Sequence, residues 1–197
     1  SLLWDEPFYS RILRSLNKVE STEIPTAGVL YKDGDITMWW NREFLASLKA
    51  KEVKGLLKHE CLHLVFKHTS ERRKDPFLLW NYAADLAINS IIPRDELPEG
   101  GLVPGERLDH LTAADKQEMK HDAIKYYEEL SKLIESLPRN KTSEFYFEKL
   151  ISNKDIKQHA ESSGDLGLCI GFDDHDGWDE MSNEEREMMK EKLGQLL

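Results

Sequence analysis

The stretch 52–67, EVKGLLKHECLHLVFK, decides the fold. Val53, Leu56, Leu57, Cys61, Leu64 and Val65 spread around most of a helix, whereas Lys51, Lys54 and Lys58 fall on one narrow stripe. The pattern predicts a mostly buried helix with one solvent-facing edge. Within it, His59-Glu60-Cys61-Leu62-His63 is an H-E-x-x-H pentapeptide. Residues four apart share a helix face, so the two imidazoles converge on one point and Glu60 flanks whatever they hold. His59 and His63 lie off the basic stripe, beside Leu56 and Phe66, in partly apolar surroundings where electrostatic interactions strengthen. Converging histidines with an adjacent glutamate predict a zinc site and hydrolytic chemistry. The plain alternative is two surface histidines beside an ordinary helical glutamate.

A second helix downstream offers a candidate third ligand. Asp75-Pro76 reads as an N-cap followed by proline at the first helical position, and Pro93 predicts an end by about Ile91 or Ile92. Between them Asn81, Asp85 and Asn89 recur every fourth residue on a helix otherwise built of Leu78, Leu79, Ala83, Ala84, Leu86, Ala87 and Ile88. A polar line on an apolar helix needs partners. The short link 69–74 favours an antiparallel return beside the first helix, which brings the Asp85 carboxylate to the same metal. Two histidines and a carboxylate form a catalytic zinc set with a fourth position left for water. In a second role, Asp85 would accept a histidine N–H, a task Asn81 and Asn89 could share.

His68 competes as third ligand. On an unbroken helix it points about 160° from the mean direction of His59 and His63, at about 100° per residue, so it can bind only if the helix ends near Phe66. The pattern lacks the glycine of the metzincin motif and is one residue short of its third histidine. Asp85 and His68 both stay open at this point.

His59 to His63, His68, Leu79 to Asn89 (LWNYAADLAIN) and Leu97 to Leu102 (LPEGGL) resemble the bacterial and phage metallopeptidase domain often found N-terminal to a von Willebrand A-like domain. The likeness runs from about Gly28 through Trp178 and is sharpest from His59 to Leu102. It implies a zincin-like fold and peptidase activity. The chain departs from the related gluzincins by offering aspartate where their second helix carries glutamate, which requires a closer approach of the helices; Ala83, Ala84 and Ala87 are compatible with that. The same resemblance suggests an oxyanion-stabilising role for a late histidine, here His175 in the acidic turn Asp173-Asp174-His175-Asp176, against the alternative of a solvated loop with Trp178 packed on the core.

With 197 residues, 40% hydrophobic, one domain spanning 1–197 is expected, an α+β, mainly helical fold with a small sheet before the motif helix. There is no run of about 18 apolar residues and no basic-then-apolar leader, so a cytoplasmic protein without a membrane partner is the reading. Cys61 and Cys169 form no disulfide framework, and Cys61 points away from both histidines as a core residue. A formal net charge of −10 argues against nucleic acid and for a peptide or protein substrate. Two non-catalytic readings stand beside the peptidase: an inactive zinc-stabilised binding module, and a domain acting with a regulatory protein partner. The basic cluster Lys67, Arg72, Arg73 and Lys74 sits at a helix end, where it favours the dipole and solvent.

Around this centre, Ala27 to Tyr31 and Ile36 to Trp40 are β-prone runs joined across Asp33-Gly34, a hairpin signal, and either could present an edge to an extended peptide. Asn41 caps a short helix through Leu48. Apolar residues Ile12, Leu13, Leu16 and Val19 predict an N-terminal helix over 8–19. The prolines and glycines of 93–109 predict an irregular loop. Thr112 with Asp115 opens a helix lasting until Pro138, another covers Ser143 to Ser152, and Ser182 with Glu185 opens the last. Leu166 to Ile170 is a candidate short strand.

Overall fold

Asp33 and Gly34 both adopt positive φ, 53° and 86°, the conformation of a two-residue hairpin turn whose twist matches its strands. The computed structural model in which they are seen describes residues 5–108, 111, 119–162 and 181–196, with 162 and 196 lacking their side chains. It is mainly helical α+β, with eight α-helices and one three-stranded sheet among the described residues. Among those residues no helix is long and apolar enough to cross a membrane. The chain divides into two compact units: the described residues of 1–73, 92–98 and 172–197 form the first, and those of 74–91 and 99–171 the second.

In the first unit, α1 (Pro7–Ser15) buries Ile12 and Leu13 and packs on the motif helix. The chain then leaves the helix, at Leu16, for strand β1 (Asn17–Glu20). This corrects the expected helix over 8–19: Val19 is a strand residue and 41% exposed. All four β1 residues are exposed, so no alternation announces the strand, and its backbone bonds come from the open edge of β3. Strands β2 (Ala27–Lys32) and β3 (Asp35–Trp40) form the hairpin, with Val29 opposite Met38 and Tyr31 opposite Ile36, and β1 runs parallel to β3 on its other side. Those four residues, all buried, share the face turned to the core.

Asn41 then caps α2 (Arg42–Ser47), its Oδ1 accepting from the backbone N–H of Glu43 and Phe44 at 2.9 and 3.2 Å. Helix α3 (Ala50–Val65) carries the pentapeptide and opens with the Glu52 carboxylate accepting from the Lys49 N–H at 2.7 Å. Gly55 meets the Glu96 carbonyl of a 3-10 turn (Arg94–Glu96) so closely that a Cβ would collide with backbone. Close approach, not flexibility, explains a glycine inside this helix. A reciprocal capping box starts the last helix: the Ser182 N–H donates to Glu185 and the Glu185 N–H to Ser182, at 2.8 and 3.2 Å.

The second unit is built on α4 (Phe77–Asn89), α5 (His121–Ser136), α6 (Ser143–Ser152) and α7 (Lys154–Ser162). Helix α4 starts after Pro76, which occupies the cap position expected for Asp75. The core joins Leu79, Trp80 and Leu86 of α4 to Tyr127, Leu130 and Ile134 of α5 and to Tyr146 and Leu150 of α6. Trp80 and Phe147 meet edge-to-face with centroids 5.9 Å apart. Thr142 caps α6 by accepting from the Phe145 N–H at 3.3 Å. Helix α7 is additional to the expected elements; Asn153 caps it, accepting from the N–H groups of Asp155 and Ile156. The Thr112–Asp115 box and the strand at Leu166 to Ile170 lie outside the described residues. The final helix, in the first unit, is α8 (Asn183–Leu196), with Met189 and Leu193 buried and Lys192 tied to Asp35 and the Gly34 carbonyl.

Candidate metal centre

Helix α3 is buried from Lys58 through Leu64, so its polar side chains there work out of water. One turn apart on it, His59 and His63 turn their rings edge to face, with centroids 4.5 Å apart and their Nε2 atoms 2.8 Å apart. Both residues, and Glu60 between them, have no exposed surface. The i, i+4 geometry of an unbroken helix is what brings these nitrogens together. His59, His63 and Asp85 are all buried and together are a set of side chains that could hold a metal ion. Imidazole nitrogens and a carboxylate oxygen are donors suited to a borderline divalent cation, so the residues present fit a metal ion.

Cys61 behaves as a core residue. Its Sγ lies 4.0 Å from the Tyr9 carbonyl, and burial, helped by the negative charge of Glu60, pushes the thiol well above its ordinary pKa. A thiol held protonated is no ligand.

His68 sits where the helix stops. The Lys67 N–H donates to the Leu64 carbonyl and the His68 N–H to the His63 carbonyl, both at 3.1 Å, with Lys67 at φ 56°. These bonds make a Schellman turn, which reverses the chain and satisfies the last carbonyls of the helix. His68 thereby folds back: its Nδ1 lies 3.2 Å from Nδ1 of His63, the ring nitrogen opposite the one that faces His59. The helix does end at the point that would free His68 from its outward direction, and the ring meets the far side of His63.

The basic stripe differs from the expected wet edge. Lys51 is at the surface, paired with Asp95 at 2.7 Å, but the Lys58 side chain is only 8% exposed. Its ammonium reaches Glu6 at 2.6 Å and Glu96 at 2.8 Å, and Lys54 reaches the same two carboxylates at 3.2 and 3.3 Å. Burial favours the neutral amine of Lys58, yet the bonds it donates to Glu6 and Glu96 outweigh it and raise its pKa. The partners come from distant segments, so helical periodicity could not reveal them.

Of the polar line on α4, Asp85 is 3% exposed, while Asn89 donates from Nδ2 to the Leu102 carbonyl at 3.0 Å. That bond ties Leu102 to the end of α4 within the second unit. His175, with Cys169 and the acidic turn, lies outside the described residues. The contact between His68 and His63 is the feature that sequence reasoning missed. A glycine after the helix would have signalled the turn; here the left-handed position is a lysine.

The family model described as "Putative metallopeptidase domain" matches residues 1–194. An uncharacterized protein of Thermotoga maritima is 30% identical over 92 residues, which are 45% of this chain and 23% of that protein. The chain therefore spans under a quarter of the length of that relative. No solved structure matches.

Proposed function

We propose, because the chain belongs to the family of putative metallopeptidase domains, that it is a zinc-dependent peptidase in which His59, His63 and Asp85 hold the ion and Glu60 is the general base. The observation that carries this reading is the convergence of the Nε2 atoms of His59 and His63, 2.8 Å apart beside a fully buried Glu60. With the buried carboxylate of Asp85 as the third donor, the set has the two-histidine, one-carboxylate composition of catalytic zinc sites. A divalent ion held there supplies Lewis acidity, polarising a carbonyl and lowering the pKa of water towards about 7.

The residues of the chain do the rest. His59 and His63 offer lone pairs from a rigid helix, which fixes where a scissile carbonyl must lie. Glu60 takes the proton of the attacking water and delivers it to the leaving amine nitrogen. Burial keeps competing water away and strengthens each of these interactions. The substrate is a peptide or protein segment, in a cytoplasmic setting; an excess of acidic over basic residues, 37 to 27, disfavours a polyanion.

Glu60→Gln tests the role. The variant should keep its zinc, measured by elemental analysis, and lose about 10²–10⁴-fold in cleavage of a quenched-fluorescent peptide library. Full activity in a zinc-replete Glu60→Gln protein would overturn the assignment of Glu60. A parent that holds zinc and cleaves nothing in the library would overturn the peptidase.

A further inference from the structure

We infer that His68 is a positioning residue for the metal centre: its Nδ1 accepts the Nδ1–H of His63 and so locks His63 in the tautomer whose Nε2 lone pair faces the ion. The inference rests on the metal reading above and assigns a role to a residue outside the ligand group.

A neutral imidazole carries one N–H and one lone pair, on different nitrogens. His63 turns Nε2 to His59, at 2.8 Å, and Nδ1 to His68, at 3.2 Å. If Nε2 is to ligate, the proton of His63 must sit on Nδ1, and it then needs an acceptor in a place without water. The His68 Nδ1 is within reach of it, which puts His68 itself in the Nε2–H form. Metal-bound histidines generally donate their second N–H to such a partner, which fixes both ring orientation and tautomer. A carboxylate would be the stronger acceptor. A neutral imidazole orients the ring without adding negative charge to the site.

The fold holds His68 rigidly enough for this task. His68 has no exposed surface and Thr69 has 1%. The Schellman bonds fix the backbone entering His68. Beyond it, Thr69 donates from Oγ1 to Met189 Sδ at 3.3 Å and its carbonyl accepts from Arg186 at 3.4 Å, so α8 clamps the turn from outside. Arg72 donates to the Phe66 carbonyl at 3.2 Å and closes the helix end. A ring seated in this way cannot pass around His63 to the Nε2 side without undoing the turn.

The test compares the parent with His68→Asn and His68→Leu. Asparagine places Oδ1 near the position of Nδ1 and keeps the acceptor; leucine fills the space without one. Zinc affinity is measured by competition with a chromophoric chelator, and coordination by the visible spectrum of the cobalt(II)-loaded protein. His68→Leu should bind zinc about 10–100-fold more weakly. His68→Asn should fall within about threefold of the parent, on the same principle. The cobalt spectrum should keep one band pattern in all three, because no ligand has been removed. Parent-like affinity in His68→Leu overturns the inference, as does a folded His68→Asn as weak as the leucine variant. A cobalt spectrum reporting a lost ligand would make His68 a ligand and overturn it too. A parent that takes up no zinc fails the metal reading itself, whereas failure confined to the variants leaves that reading standing.

Discussion

Helix α3 buries polar side chains at two levels, and the two sets are made of different chemistry. At Lys54 and Lys58, two ammonium groups meet the carboxylates of Glu6 and Glu96 over 2.6–3.3 Å, two positive charges against two negative. At His59, Glu60, His63 and His68, the groups are imidazoles and a carboxylate, wholly buried and crowded through their ring nitrogens. The first set closes on itself with the protein's own cations. The second is a set of nitrogen and oxygen donors that, on the proposed reading, holds a cation. Burial of charge on a helix is thus a poor guide to function, and the kind of group buried is the better one.

The largest expected effect separates these two ends. On the proposed reading, zinc at about a thousandfold over its dissociation constant should raise the unfolding free energy by about 4 kcal/mol, because it binds the folded chain alone. His63→Ala should abolish that increment, and Lys58→Met should leave it intact although the protein starts from a lower base. Urea unfolding with and without zinc measures both. An increment of equal size in His63→Ala would erase the distinction drawn between the two clusters.

Removing the cation from the self-closed end should cost about 2 kcal/mol. That is below the roughly 3–5 kcal/mol typical of a broken buried pair, because Lys54 remains to serve both carboxylates. The measurement is the urea midpoint of Lys58→Met at constant m-value. The pH dependence carries a sign. The hydrogen bond from Lys58, opposed by burial and aided by Lys54, holds the Glu6 carboxyl below its ordinary 4.5. A depressed folded pKa contributes stability that is present above the unfolded value and lost as pH falls through the folded one. The parent should therefore weaken in acid below about pH 4.5. Lys58→Met should show a shallower loss over the same window. The raised Lys58 works in the opposite sense: its contribution is present below 10.5 and is lost as pH rises through the higher folded value. An acid limb unchanged by Lys58→Met would show that Glu6 owes nothing to this lysine.

The same comparison shows what the sequence made legible. The pentapeptide helix, the Asp33-Gly34 hairpin, the Asn41 cap and the Ser182–Glu185 box are local signals, each written within about four residues, and each element formed where its signal stood. Asp85 was visible as a polar residue on an apolar helix. Lys58 was misread because its partners lie 38 residues ahead and 52 behind, where no periodicity reaches. Strand β1 escaped because all of its side chains are exposed and only its backbone pairs. His68 escaped for a subtler reason: a chain reversal after a helix is read from glycine, and this one is made by Lys67.

The smallest effect therefore falls on Lys67. A side chain in the left-handed region costs about 1 kcal/mol, which glycine would relieve. Glycine also gives the unfolded chain more freedom, an opposing contribution of about 0.4–1 kcal/mol. The ion pair from Lys67 to Glu71, at 3.0 Å with both side chains about one-third exposed, contributes little and is a small loss. Lys67→Gly should thus change stability by no more than about 0.5 kcal/mol. Lys67→Val, which adds β-branching at a positive φ, should destabilise by more than about 1 kcal/mol. Zinc affinity decides what the turn is for. If the turn serves to seat His68 against His63, the glycine variant keeps parental affinity and the valine variant weakens it in the same direction as His68→Leu. A valine variant that loses stability but binds zinc as tightly as the parent would make the turn a helix ending alone, with no part in holding the histidine pair.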